Sequence, residues 1–96
     1  MAKLVKEIHL PYMVVFDRLY NLIPSVGYAI SEANPQTGVI KFDAPVNAMD
    51  WGFFFMAQVG ALGPEDTQIY FTGHPKFGFD LFGRGNKKLE QMMKKF

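Results

Sequence analysis

The two histidines of this 96-residue chain are the first residues to consider for chemistry, because imidazole binds metal ions and transfers protons near neutral pH. His9 ends the first predicted strand and His74 ends the last. The relative direction of these two strands decides whether the two imidazole rings can meet. If they meet, Asp80 or Glu7 could complete a weak metal site. Without close spacing or a third strong ligand, surface histidines are the more common case, and we expect no metal and no cofactor.

Acid–base and nucleophilic chemistry have weaker support. Paired carboxylates catalyse when a cleft separates their pKa values, but the acids here lie in or beside predicted turns, where carboxylates often form the turn itself. Neither Ser25 nor Ser31 lies in a Gly-x-Ser-x-Gly motif. The chain has no cysteine, which excludes disulfides and thiolate chemistry. We therefore expect a non-enzymatic protein; the acids considered are Asp43, Asp50, Glu65 and Asp66.

A basic, glycine-containing segment, GRGNKK, precedes the last predicted helix. Backbone N–H groups at a helix start can bind a phosphate or carboxylate, so Arg84, Lys87 and Lys88 are candidate anion-binding residues. The segment lacks the spacing of a Walker A loop. The more common role of such a segment is a glycine-softened helix entry with a solvated basic face. The net charge of +1 makes nucleic acid an unlikely partner, although a contact with acidic lipid stays open.

The stretch WGFFFMAQVGAL, residues 51–62, is the most unusual part of the chain. It carries no charge and is apolar on both alternating faces, whereas a strand covered on one side only should alternate apolar with polar. Either both faces are buried, or one face is a partner or ligand surface. The candidate surface residues are Trp51, Phe53, Phe54, Phe55, Met56 and Tyr70.

This stretch is predicted to be a strand, and two helices and four further strands surround it. Apolar residues between Tyr12 and Val26 recur at the spacing of an amphipathic helix. Pro11, just before them, suits the first position of that helix. Hairpin strands over 28–33 and 39–44 flank a turn at 34–38, and further strands are predicted over 3–10 and 67–73. The last helix contains Leu89 and Phe96, with Asp80 or Asn86 as alternative N-caps. The order is β-α-β-β-β-β-α, an α+β domain over 1–96 with a two-layer, five-stranded antiparallel sheet.

Composition agrees with a single globular domain. The chain is 49% hydrophobic and 16% aromatic, which excludes disorder. Neither a signal-peptide run nor a transmembrane segment is present, and together with the absence of cysteine this favours a cytoplasmic location.

The order of elements resembles the TATA-box-binding-protein-like fold. It is also similar to a reduced helix-grip domain, the type found in START and pollen-allergen proteins and in the small domains of the outer-membrane assembly lipoprotein C. The resemblance rests on element order alone, so it implies no functional residue. Proteins of this fold bend DNA, transfer lipids or contact proteins, and the fold therefore does not select a function.

Two functions follow as hypotheses. The first is an interaction domain, most simply a homodimer, that uses an apolar face of the sheet; another protein is the alternative partner. The second is a binder of a small hydrophobic molecule or lipid between the sheet and the C-terminal helix, where Met92, Met93 and Phe96 would line the site with Phe53 and Phe55.

Overall fold

The protein is represented by a computed structural model that describes residues 2–46, 51–80 and 83–96. Five strands and two helices follow one another as β1, α1, β2, β3, β4, β5 and α2, which confirms the α+β class and the order. The bounds are β1 Ala2–Ile8, α1 Tyr12–Ser25, β2 Ala29–Asn34, β3 Val39–Ala44, β4 Phe53–Gly63, β5 Asp66–Pro75 and α2 Arg84–Met93. Asp50 and the rest of 47–50 lie outside the described residues.

The strands form one antiparallel sheet in the order β1-β5-β4-β3-β2. The aromatic strand β4 is therefore the central strand, and β1 lies at an edge. The β1 edge is partly covered by α2: the Asn86 side chain accepts from the Lys3 N–H at 3.1 Å and donates to the Lys3 carbonyl at 2.9 Å. At Lys3, the edge therefore already has a hydrogen-bonding partner.

Both helices contribute to one core on the same side of the sheet. The buried stripe of α1 has the helical spacing expected from the sequence, and α2 contributes Leu89 and Met92. The α1 stripe also reaches the β2–β3 turn, where the Tyr12 hydroxyl donates to the Pro35 carbonyl at 2.6 Å. Partial burial raises the pKa of Tyr12. The α1 core residues are Val15, Phe16, Leu19 and Ile23.

Two glycines allow the close packing of this core. A Cβ at Gly73 would lie 2.4 Å from Cδ1 of Phe55, so the missing side chain makes room for that ring. A Cβ at Gly85 would lie 2.8 Å from Cβ of Ala2 and 3.1 Å from Cε1 of Phe53. Gly85 therefore lets α2 lie close against the sheet.

The starts of β4 and α2 differ from the predicted starts, and each difference has a physical cause. β4 begins at Phe53 rather than Trp51, because Gly52 has φ of 79°, a left-handed conformation that ends the extended chain. Neither Asp80 nor Asn86 is the N-cap of α2; Gly83 holds that position. Asp80 still accepts from the first helical N–H groups, with Oδ1 2.8 Å from Arg84 N and Oδ2 3.1 Å from Gly85 N.

Candidate functional site

Alternation along β4 separates its aromatic side chains onto two faces. Phe53 and Phe55 point towards the helices and are each 3% exposed. Their rings stack with centroids 5.5 Å apart, and Phe55 also packs on Phe42 at 5.3 Å. Because they form part of the core, Phe53 and Phe55 are not available to a partner outside the chain. The remaining candidates for a partner or ligand surface are Trp51, Phe54, Met56 and Tyr70.

The opposite side of the sheet, called here the outer face, is exposed. Phe54 and Val5 are each 49% exposed, and Met56 and Tyr70 are half-buried on the same face. The strand register places Thr72 between Lys3 and Met56, and Gln58 beside Tyr70. The outer face is therefore a mosaic rather than one continuous apolar patch. On the neighbouring strands β1, β5 and β4, the residues of this face are Lys3, Val5, Glu7, Gln68, Tyr70, Thr72, His74, Phe54, Met56, Gln58 and Gly60.

Phe54 is the centre of a polar–aromatic group at one end of this face. Its ring lies 5.6 Å from the His74 ring and 5.3 Å from Nζ of Lys76. Lys76 in turn contacts Asp43, with Nζ 2.6 Å from Oδ2, and these two side chains are only 17% and 28% exposed. A cation held over an aromatic face stabilises that ring position. Phe54 is thus fixed in place although half its surface is exposed.

Beside Phe54 the outer face contains a shallow hollow of about 340 Å³. The side chains that project from the outer face into its wall are Lys41, Phe54, Met56, Thr72 and His74, and Ser31 of the β2 bulge borders it. The wall is mainly apolar with a polar rim. Such a hollow accepts an apolar side chain of a partner more readily than it accepts a charged group.

The three candidate ligand-lining residues of α2 do not converge on one space. Met92 borders a hollow of about 420 Å³ together with Val26 and Tyr28. Met93 and Phe96 instead border a hollow of about 470 Å³ on the other side of the helix. The Arg18 guanidinium carbon lies 5.5 Å from the Phe96 ring centroid, which ties the C-terminus to α1.

The anion-binding candidates lie at the start of α2. The N–H groups of Arg84 and Gly85 already bind the carboxylate of Asp80, so an internal anion occupies this helix N-terminus. Lys88 borders the hollow beside Met92, while Lys87 is exposed. Anion binding by Arg84, Lys87 and Lys88 stays a prediction.

The two histidines lie at opposite ends of the sheet, because β1 and β5 are antiparallel and Ala2 pairs with Gly73. His9 lies instead beside Asp66 of the β4–β5 hairpin, with Nδ1 2.7 Å from Oδ1. This hydrogen bond and the carboxylate charge raise the pKa of His9 above 6.5. Within residues 2–46, 51–80 and 83–96 there is no group of three or more histidine, cysteine or acidic side chains that could hold a metal ion.

The two serine hydroxyls both donate to backbone carbonyls. Ser25 donates to Leu22 at 2.5 Å, and Ser31 donates to Lys41 at 3.2 Å across the β2–β3 hairpin. The first hydrogen bond lies in the last turn of α1 and the second at the bulge in β2. They are structural contacts of the kind that serine makes at turns.

Trp51 was predicted from the sequence as a surface residue, whereas the exposed aromatic side chains Phe77 and Phe79 in the segment after β5 were not. Trp51 is 64% exposed, Phe77 is 60% exposed and Phe79 is 87% exposed. Trp51 meets Phe77 edge-on with ring centroids 6.1 Å apart, and Lys76 N–H donates to the Gly52 carbonyl at 3.0 Å. The available signal was the occurrence of large aromatic residues in a segment rich in glycine and proline.

Comparison with known proteins supports the fold. No family model matches the chain, and no curated protein matches its sequence. A solved structure that it does resemble is the di-domain ARO/CYC protein StfQ from the steffimycin biosynthetic pathway, with a TM-score of 0.76. The sequence identity is 8%, and the match covers 98% of this chain and 43% of StfQ.

At this identity the likeness concerns the fold alone, and it supports a helix-grip-like α+β arrangement. The chain spans less than half the length of StfQ. Among the described residues, neither helix combines the length and apolar character that a bilayer-spanning segment needs.

Proposed function

We propose that this chain is a non-catalytic interaction domain whose outer sheet face pairs with a second copy of itself. The observation that carries the proposal is the position of Phe54. Its ring is half exposed, is held by His74 and Lys76, and borders an apolar hollow beside Met56. An anchored aromatic side chain next to a hollow is typical of the centre of a protein interface.

The size of the face is close to that of a standard contact. The five strands hold 40 residues, which at ~4.8 Å between strands and ~3.4 Å per residue cover about 650 Å² in projection, near the ~800 Å² per partner of a standard interface. The molecule exposes 5839 Å² in total, so such an interface would use a moderate share of it.

The distribution of charge favours a second copy over an unrelated partner of one sign. The outer face carries Lys3 and Lys41 but also Glu7 and Glu32. In a two-fold symmetric dimer the same surface meets itself, so a lysine of one copy can face a glutamate of the other. A uniformly charged partner would face like charges somewhere on this mosaic.

A small apolar ligand is the second candidate function. It is supported by the hollow bordered by Val26, Tyr28 and Met92, and by the fold shared with an ARO/CYC protein. The core between the sheet and α2 is well filled, however, since Phe42, Phe71 and Leu89 are fully buried. A ligand would therefore lie at the mouth beside Met92 rather than deep under the sheet.

The oligomeric state in solution tests the first candidate, and native mass spectrometry of the purified protein tests the second. A dimer that dissociates when Phe54→Asp is introduced supports the pairing proposal. A monomer that carries a bound small molecule supports the ligand proposal instead. A cytoplasmic location stays a prediction for either function.

A further inference from the structure

We infer that the exposed aromatic end of the sheet is a docking surface for an anionic membrane. The aromatic end is defined by Val46, Trp51, Phe77 and Phe79, which are 50%, 64%, 60% and 87% exposed. The insertion of these four apolar side chains does not depend on the pairing of the outer face, because they lie on connections outside the strands and not on that face.

The geometry favours insertion over flat contact. The four side chains lie beyond the ends of β3 and β5 and just before β4, where they can enter a surface without moving the sheet. The two connections are joined by the Trp51–Phe77 ring contact and by the hydrogen bond from Lys76 N–H to the Gly52 carbonyl. Exposed tryptophan and phenylalanine are the residue types that bind the interfacial region of a bilayer.

Charge near this end selects an anionic surface. The start of α2, with Arg84 and then Lys87 in its first turn, lies here because Gly85 packs on Ala2 and Phe53. Lys3 lies at the same end of β1, where Asn86 binds its backbone, and adds its charge from the outer face. Basic side chains beside inserted apolar ones strengthen attraction to acidic lipid headgroups.

The acidic groups described at this end have their charge offset within the chain. Asp43 pairs with Lys76 at 2.6 Å. Asp80 accepts the N–H groups of Arg84 and Gly85 at the positive end of the α2 dipole. Among residues 51–80 and 83–96 and Val46, the surface that a membrane would meet is therefore apolar at its centre and basic at one side.

The test uses Trp51, which is the only tryptophan of the chain and therefore reports its own environment. The full chain is mixed with vesicles of phosphatidylcholine alone and of phosphatidylcholine with phosphatidylserine, and Trp51 emission and co-sedimentation are measured. We expect Trp51 emission to shift to the blue and the protein to co-sediment with the phosphatidylserine vesicles. The double variant Phe77→Ser with Phe79→Ser should lower the apparent affinity for these vesicles at least tenfold.

Met13→Ser with Val14→Ser is the matched control, because these adjacent apolar side chains are also exposed, at 51% and 43%, but lie on α1. Loss of binding in this control, or no shift with either vesicle, would overturn the inference. Equal binding to neutral vesicles would overturn the role of Lys3, Arg84 and Lys87. A blue shift that grows with protein concentration in the absence of vesicles would show that the aromatic end binds another copy instead. Phe54→Asp, which tests the pairing proposal, should leave vesicle binding unchanged.

Discussion

Nζ of Lys76 lies 2.6 Å from Oδ2 of Asp43 on the outer face, and the same ammonium group lies 5.3 Å from the centroid of Phe54. This pair links the end of β5 to β3 across the intervening strand β4. It holds the ring on which the pairing proposal depends, and its limited exposure makes it more costly to break than an ordinary surface ion pair.

Replacing Lys76 by Met should lower the free energy of unfolding by about 1–2 kcal/mol, between the values for exposed and fully buried pairs. The matched control is Lys41→Met, because Lys41 and Glu32 are 3.9 Å apart and more than half exposed. That control should change stability by less than about 0.5 kcal/mol. Urea unfolding gives the free energy of unfolding of both lysine variants. A double-mutant cycle of the parent, Lys76→Met, Asp43→Asn and the variant with both changes measures the coupling energy between Lys76 and Asp43. Equal costs in both lysine variants would show that the Lys76 pair is not special.

Gly73 should tolerate no side chain. A Cβ there would lie 2.4 Å from Cδ1 of Phe55, so Gly73→Ala must displace a core ring and should cost about 1–3 kcal/mol. Gly60→Ala is the control, because a Cβ at Gly60 meets no atom within 4 Å. Its effect should stay within about 0.5 kcal/mol. Chemical unfolding compares the two, and a Gly73→Ala protein as stable as the parent would contradict the packing of Phe55 described here.

The titration of His9 should depend on Asp66. The hydrogen bond to Asp66 raises the pKa of His9 above 6.5, so the folded state holds this proton more tightly than the unfolded state. The resulting stabilisation is fully present below the unfolded pKa and is lost as the pH rises through the folded pKa. Asp66→Asn should return the pKa of His9 towards 6.5, whereas Glu65→Gln should leave it unchanged. NMR titration of the imidazole protons measures both; a His9 titration that is insensitive to Asp66→Asn would refute the contact.

Much of the fold was predictable because local patterns and tertiary packing agree. The helical spacing of Val15, Phe16 and Leu19 specified α1, and the β3 bounds Val39–Ala44 match the predicted strand. The start of α2 was not predictable from capping preferences. Gly83 is the N-cap, Asp80 reaches the helix from four residues before Arg84, and the Asn86 side chain binds the edge of β1.

The candidate site was predicted only in part. Alternation in β4 required Phe54 to face away from Phe53 and Phe55, but period alone does not say which set the helices cover. The partners of Phe54 come from elsewhere in the chain: His74 and Lys76 from β5 and its end, and Asp43 from β3. Only the strand register brings these residues together, so no local motif could have identified them.

Pairing of the outer face with a second copy is tested most directly by sedimentation velocity over a wide concentration range. The parent chain and Met13→Asp should sediment as dimers, while Phe54→Asp should sediment as a monomer with unchanged circular dichroism. Phe54 and Met13 are 49% and 51% exposed, so the two substitutions place the same charge at equally exposed positions on different surfaces. A parent chain that stays monomeric at the highest concentration, or a dimer that survives Phe54→Asp, would contradict this pairing.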